Sequence, residues 1–384
     1  MKLQDTIYYK HLSFVFLTLQ HRGDKVMYAV IMAGGRGTRF WPRSRERKPK
    51  HLLDIISAKT IIQETVERIK PLIPPENILV VTGKKHARAL IKQLPEIPSR
   101  NIIIEPEGKN TAACIGLAAL HIRKISTDDI MVVLPSDHAI ADSQKFIDIV
   151  SAAAKAASEE DGLVTIGVKP SSVQTGFGYI ERGNLFKQIN NEDIFRVKSI
   201  REKPDFQKAQ EFVQSGNFYW NSGMFIWKAS AILKEIGHWM PNLYTGLMKI
   251  NEALGSPQEA VIVPRVYKKL AAISIDYGVM EKSDNVFMLE GDFGWSDVGS
   301  WDALWEISEK DNQGNVLTGG GKAIFEDTED SLVYSPQKLI ALVGIKDLII
   351  VETKDALLIC KKGRSQDVKK IVDKLDADKL KKYL

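Results

Sequence analysis

The feature that most constrains this chain is an alternation of short apolar runs and helix-length segments that starts at Tyr28. Ala29-Val30-Ile31-Met32 is a continuous apolar run ending in glycines. Residues 61–69 read as an amphipathic helix, and Ile78-Leu79-Val80-Val81 as a second strand closed by Thr82-Gly83. Residues 84–94 are helical in pattern, 102–104 form a third strand and 111–125 another helix. A fourth strand covers 130–134 and stops at Pro135; an Ala-rich helix over 146–157 precedes a fifth strand at 164–167. Apolar runs without polar alternation belong to strands covered on both faces, so the pattern predicts an α/β fold with a mixed, mostly parallel sheet. In such sheets ligands bind beyond the carboxyl ends of the strands. The segments after the first and fourth strands are therefore the places to look for chemistry.

After residue 310 the texture changes. Apolar runs begin at Leu339, Leu348 and Leu357, nine residues apart, with turn-like 344–347 and 353–355 between them. Such even spacing predicts a small β domain, either a β-helix or a sandwich fragment. A last helix carries Val368, Ile371, Val372 and Leu375 on one face. A length of 384 residues suits two domains, which the pattern divides as 27–310 and 311–384. Residues 1–26 read as an extension, with a start at Met27 or a short extra element packed on the domain as the two alternatives. Its apolar run, 12–19, is far short of the ~20 residues that cross a bilayer, and no small-residue cleavage site follows it. Cys114 and Cys360 are too few for a disulfide framework or a cysteine zinc site and read as buried thiols in a reducing compartment.

The first strand runs into Ala33-Gly34-Gly35-Arg36-Gly37-Thr38-Arg39-Phe40-Trp41-Pro42. Glycines just past a strand let backbone N–H groups approach an anion. A dinucleotide fingerprint does not fit, because Phe40 stands where the third glycine belongs, and no Gly-Lys-Ser/Thr follows to make a Walker A loop. Between Gly34 and Lys50 lie seven basic residues and one acid, Glu46. That much charge suits a triphosphate, and arginine forks suit its oxygens. Arg39 and Lys50 are expected to contact phosphates, while some of Arg43, Arg45 and Arg47 face solvent.

The fourth strand ends in Leu134-Pro135-Ser136-Asp137-His138. An acid beyond the carboxyl end of a central strand, facing a phosphate loop, is well placed to hold Mg²⁺. Asp297, in Gly294-Trp295-Ser296-Asp297-Val298-Gly299, is the second candidate. An isolated aspartate in either place is more often a cap or turn residue. His138 has no second His or Cys at zinc-ligand spacing. After the third strand, Glu105-Pro106-Glu107-Gly108-Lys109-Asn110-Thr111 opens a helix that Asn110 or Thr111 is placed to cap. Trp220, Trp227, Trp295 and Trp301 read as core rather than as a stacking surface.

The loop from Ala33 to Arg39, followed by Pro49-Lys50, resembles the signature of sugar-1-phosphate nucleotidyltransferases. Phe40-Trp41-Pro42 with Ser44-Arg45, and Pro49-Lys50-His51-Leu52-Leu53, resemble the mannose-1-phosphate guanylyltransferases among them. The family often has Leu at position 40 and Gln at 51, where this chain has Phe40 and His51. The resemblance spans roughly 280 residues and implies a Rossmann-like nucleotidyltransferase domain followed by a small β-helix-like domain. It implies transfer of GMP from GTP to α-D-mannose 1-phosphate, giving GDP-mannose and diphosphate. It makes Arg39, Lys50, Asp137, Lys203 and Asp297 catalytic, with Asp137 and Asp297 as Mg²⁺ ligands. It assigns Gly34, Gly35, Arg36, Gly37, Thr38, Gly108, Asn110, Thr111 and Ser136 to the nucleotide. Gly178 in Thr175-Gly176-Phe177-Gly178, Glu202 in Glu202-Lys203-Pro204 and Asn221 in Trp220-Asn221-Ser222-Gly223 fall to the sugar phosphate. Asp276 and Glu281 lie in a further matching stretch, with a pocket-shaping role and a structural hydrogen-bonding role both open. The alternatives are a relative that uses another sugar or base, and a non-catalytic regulatory subunit that binds a sugar nucleotide.

Charge separates the partners further. The formal net charge is +5, but the loop 34–50 and the tail 361–384 hold sixteen of the 53 basic residues. The rest of the chain has 37 basic against 43 acidic residues, which argues against a nucleic-acid surface. The tail, nine basic residues against four acids, is expected to serve solubility. A cytoplasmic enzyme with no membrane partner is expected, and a homodimer is an assembly open to it.

Overall fold

A computed structural model of the chain describes residues 26–35, 37–126 and 128–384. Apart from Val26, the N-terminal extension lies outside the described residues, as does Arg36. The chain forms two compact units that interleave in sequence. Of the described residues, one takes those up to Val30 with Ile103–Leu134 and Ile149–Glu290; the other takes those of Ile31–Ile102, Pro135–Asp148 and Gly291–Leu384. Among the described residues no helix is long and apolar enough to cross a membrane.

The first unit is built on a mixed sheet. Six of its strands lie, in spatial order, as Ile130–Pro135, Phe218–Lys228, Leu163–Val168, Val286–Glu290, Glu192–Glu202 and Gly178–Ile189. Val286–Glu290 runs parallel to Leu163–Val168, with Val286 opposite Leu163. Phe218–Lys228 runs antiparallel to both of its inner neighbours. The uninterrupted apolar runs are the buried strands expected: Met131, Val132, Val133, Val164 and Ile166 are fully buried. Trp227 is also fully buried and Trp220 nearly so, as core residues. Helices Asn110–Ile125 and Pro241–Ala253 approach closely at Gly116, where a Cβ would lie 2.5 Å from Leu247 Cδ1. Cys114, on the buried face of the first of these helices, is a free thiol that burial raises well above its ordinary pKa. Cys360, in the other unit, is also free but only half-buried.

The second unit contains the carboxyl end of strand Met27–Ala33 and all of strand Ile78–Gly83. Thr82 Oγ1 donates to the Ala33 carbonyl (2.9 Å), and the Ser136 N–H donates to the Met32 carbonyl (3.2 Å). The residues after the fourth strand therefore lie beside the end of the first. Helix Ile61–Ile69 opens on a capping box: the Thr60 N–H donates to Gln63 Oε1 (2.9 Å).

The C-terminal part of this unit resolves the two β readings. Strands Val316–Thr318, Leu332–Tyr334 and Leu348–Glu352 stack in parallel, with Val316 opposite Leu332 and Leu332 opposite Ile349. Lys322–Glu326 and Leu339–Val343 form a second parallel pair. Successive strands thus go to alternate stacks, which is the path of a β-helix-like coil and not of a hairpin-built sandwich. Only Leu357–Lys361 turns back, antiparallel to Leu348–Glu352. Val316, Leu332, Tyr334, Ile349 and Val351 point inward and share one core with Phe40 and Trp41.

Candidate active site

Strand Met27–Ala33 delivers the chain into the loop 34–50. Gly34 and Gly35 are exposed. Gly37 has φ +62, and a Cβ there would lie 2.4 Å from Lys50 Cβ and 2.9 Å from the Lys50 nitrogen. Glycine is required on both counts: the left-handed conformation disfavours a side chain, and the backbone at Lys50 leaves no room for one. A single turn, Thr38–Phe40, follows, with Phe40 fully buried and Trp41 nearly so. The Phe40 ring lies 5.0 Å from Trp301, Trp41 Nε1 donates to the Tyr383 carbonyl (2.8 Å) and Trp301 Nε1 donates to the Trp41 carbonyl (3.2 Å). These contacts fix the loop from behind and leave its front open.

The front is a cavity of about 300 Å³ lined by Gly37, Thr38, Arg39, Phe40, Lys50, Asp137, His138, Asp297, Gly299 and Lys369. Lys50 is only 5% exposed. Its ammonium donates to Asp137 Oδ2 (2.9 Å) and to the Asp297 carbonyl (2.6 Å). Asp137 keeps 34% of its side chain exposed. Burial pushes its carboxyl upward, but Lys50 beside it and the neighbouring His138 outweigh burial and hold it below the ordinary value. Asp297 shifts the other way. Burial raises it and the charge on Asp137 raises it further, against Lys50, the Gly299 N–H (3.2 Å) and Arg39. The cavity thus holds two carboxylates that repel each other, with one ammonium bound at both residues.

Burial lowers His138 to about 4 despite Asp137. Its ring is neutral at pH 7, and Nδ1 accepts from Trp295 Nε1 (3.1 Å). Among the described residues no group of three or more His, Cys, Asp or Glu is arranged to hold a metal. Asp137 and Asp297 are hard oxygen donors on one cavity, a set that fits a magnesium ion completed by phosphate oxygens. Ser136 is buried, with its backbone committed to Met32.

The rest of the basic loop is divided between structure and solvent. Arg43 pairs with Asp54 and lies 5.6 Å from the Tyr334 ring. Arg45 donates to the Pro42 carbonyl (2.7 Å), to the Tyr383 carbonyl and to Asp355 (2.9 Å). Arg47 is exposed.

The first unit carries the other expected residues. Gly178 stands opposite Glu202 in the antiparallel register, and a Cβ on it would lie 2.3 Å from Glu202 Oε2 and 3.2 Å from Asn221 Cβ. Lys203, at φ +49, pairs with Glu202, and its N–H donates to the Phe177 carbonyl (3.1 Å). Asn221 Nδ2 donates to Asp276 Oδ1 (2.8 Å), and Asn221 Oδ1 accepts from Thr165 (3.3 Å) and from the Gly223 N–H (3.1 Å). The Glu202 N–H donates to Glu281 Oε1 (2.7 Å). Burial, and then the charge on Glu202, raise Asp276 to about 6.

The loop before helix Asn110–Ile125 differs from expectation. Lys109 occupies the cap position without a capping hydrogen bond, and Asn110 takes φ +64. Asn110 Oδ1 accepts from the Thr111 N–H in the first turn (2.8 Å), but Thr111 does not cap the helix. Thr111 Oγ1 instead accepts from the Ile275 N–H (2.8 Å), tying this loop to the segment that carries Asp276. A Cβ on Gly108 would meet nothing within 4 Å. Lys369, in helix Val368–Ala377, belongs to the basic tail expected to serve solubility, yet it lines the phosphate-loop cavity. An amphipathic pattern places a lysine on a polar face but does not say what that face meets.

Comparison with known proteins shows the family. Residues 28–314 match the family described as nucleotidyl transferase, and residues 321–375 match the MannoseP isomerase/GMP-like beta-helix domain. The chain belongs to the nucleotidyl transferase family, among its mannose-1-phosphate guanylyltransferases. The mannose-1-phosphate guanylyltransferase of Klebsiella pneumoniae is 38% identical over 361 residues, covering 93% of this chain and 76% of that protein. Mannose-1-phosphate guanylyltransferase ManC of Salmonella typhimurium is 40% identical over 357 residues, covering 92% and 74%. A solved structure from Thermus thermophilus, named mannose-1-phosphate geranyltransferase, superposes with TM-score 0.83 at 31% identity, covering 91% of this chain and 99% of that one.

Proposed function

We propose that this enzyme transfers GMP from GTP to α-D-mannose 1-phosphate, releasing diphosphate, with residues 27–310 as catalytic domain and 311–384 as β-coil domain. The observation that carries this reading is the cavity in which Lys50 binds at both Asp137 and Asp297, in a chain whose relatives bear that activity in their names. A sugar-phosphate oxygen attacks the α-phosphorus; the new P–O bond forms as the bond to the β-phosphate oxygen breaks, and diphosphate leaves in line. The nucleophile is already an anion at neutral pH, so no general base is needed. Catalysis is then positioning and electrostatic stabilisation. Arg39 and Lys50 hold the triphosphate, with Gly34, Gly35, Arg36, Gly37, Thr38 and Ser136 around it. Gly108, Asn110 and Thr111 flank the base. Lys203 holds the sugar phosphate, while Gly178, Glu202 and Asn221 receive the sugar. Asp137 and Asp297 hold a magnesium ion, which when bound neutralises charge on the α-phosphate and the departing diphosphate. A cytoplasmic setting suits two free thiols and a GTP-dependent reaction.

The test is diphosphate release from the purified enzyme with Mg²⁺, across a panel of nucleoside triphosphates and sugar phosphates. GTP with mannose 1-phosphate is expected to give the highest kcat/KM. A clear preference for another base or sugar would replace the substrate assignment, and no turnover with any pair would favour a sugar-nucleotide-binding subunit.

A further inference from the structure

Of the residues lining the phosphate-loop cavity, Lys369 alone comes from the C-terminal helix. Its placement is not that of a loose surface lysine. The preceding residue, Val368, is 2% exposed and belongs to the core that contains Phe40 and Trp41. The helix is therefore seated directly on the phosphate loop. Lys370, one residue on, is turned to an ion pair with Asp367 (2.7 Å). Among the described residues the cavity has three cationic side chains: Arg39, Lys50 and Lys369. Lys50 is buried and already engaged by Asp137 and Asp297, whereas Lys369 is exposed at the rim.

We infer that Lys369 is a substrate-binding residue that the β-coil domain supplies to the phosphate site, holding the outer phosphates of the nucleotide and the departing diphosphate. The inference rests on the function proposed above. Burial divides the cations by depth. Lys50 sits with the two aspartates, where the α-phosphate would react, and Lys369 lies farther out, where the β- and γ-phosphates would extend. Charge moves onto the diphosphate as the α–β bridging bond breaks, so a cation at that end stabilises the transition state more than the ground state. A lysine suits this role, because it is a compact point charge on a flexible stem and can follow the leaving group outward.

The test compares Lys369→Gln, Lys369→Arg and, as a control, Lys370→Gln. The measurements are forward kinetics, diphosphate-dependent reversal, inhibition by GMP and calorimetric binding of inorganic tripolyphosphate. For Lys369→Gln, kcat/KM for GTP and for diphosphate should each fall about fivefold, the scale of one partly solvated charge-assisted contact. The KM for mannose 1-phosphate and the inhibition constant of GMP should not move. Lys369→Arg should recover most of the loss, and Lys370→Gln should match the wild type. An unchanged kcat/KM for GTP and for diphosphate in Lys369→Gln would overturn the inference. So would equal losses toward GMP together with a lowered melting temperature, which would mark a packing role. Should the wild type fail to turn over any sugar phosphate, the proposed function falls by itself. Tripolyphosphate binding, weakened by Lys369→Gln or not, then still decides the role of this lysine.

Discussion

Lys50→Met isolates the charge at the centre of the proposed phosphate site. Methionine preserves the stem, which is 5% exposed, and removes only the ammonium. Two contacts disappear, one to Asp137 Oδ2 (2.9 Å) and one to the Asp297 carbonyl (2.6 Å). Removing one partner of a fully buried pair costs about 3–5 kcal/mol. Asp137 keeps 34% of its side chain exposed, so water replaces part of the loss and about 2 kcal/mol is expected. That corresponds to a fall in melting temperature of about 5 °C for a cooperative unit of this size. The pH dependence follows from the signs. In the wild type, Lys50 holds Asp137 below its ordinary value, so the pair's contribution is present at neutral pH and is lost as pH falls through that depressed value. Asp297 is already raised, and a raised carboxyl loses stability as pH rises through its folded value. Without Lys50 both carboxyls titrate higher, so the deficit is largest at pH 7 and shrinks toward pH 4 as they take up protons. Thermal melts from pH 4 to 8 read this directly, and turnover should fall about 10²–10³-fold with the loss of a preorganised phosphate contact. A melting deficit that stays constant across that range, or turnover near the wild-type rate, would refute the electrostatic reasoning.

Three further outcomes are expected. Asp137→Asn should abolish GDP-mannose formation with an unchanged circular dichroism spectrum, and near-normal turnover would sink its assignment as a metal ligand. Gly178→Ala places a Cβ 2.3 Å from Glu202 Oε2, which should raise the KM for mannose 1-phosphate about tenfold through misplacement of Glu202 and Asn221, with the KM for GTP little changed; the opposite split would reassign this cluster. Asp276→Asn keeps an acceptor for Asn221 but cannot ionise. Since Asp276 is raised to about 6, its ionisation costs stability as pH rises through that value. The loss runs from the ordinary carboxylate range up to about 6, so the variant's gain in melting temperature over the wild type should be smallest at pH 4 and largest at pH 8. Equal melting temperatures at both pH values would show that the carboxyl is not a buried charge.

How much of this was legible depended on whether a residue's role was written in its neighbours. The phosphate loop was readable because its glycines and its charge are contiguous and follow a buried strand. Asp137 was readable for the same reason, as the first acid beyond another strand. Arg45 was not readable, because its partners at Asp355 and Tyr383 are 310 and 338 residues away. Thr111 looked like a cap because threonine before a helix usually is one; its hydroxyl instead takes the Ile275 N–H, 164 residues on. The β-coil could not be told from a sandwich fragment because nine-residue spacing fixes strand length but not the partner of each strand. Parallel stacking of alternate strands is a register, and register is a tertiary property.

The same distances explain why the phosphate loop tolerates so much charge. Seven basic residues and one acid between 34 and 50 would repel one another if all faced one anion site. The fold divides them instead. Arg43 and Lys48 share Asp54, and Arg45 is taken by Asp355 and the Tyr383 carbonyl. Arg39 and Lys50 line the cavity, and Arg47 faces solvent. Asp355 and Tyr383 belong to the β-coil, as do most of the side chains packed over Phe40 and Trp41. The coil thus neutralises part of the loop, covers its apolar back and adds Lys369 to its front. By these contacts it is part of the proposed phosphate site, which is a physical reason for a nucleotidyltransferase domain to carry a β-helix behind it.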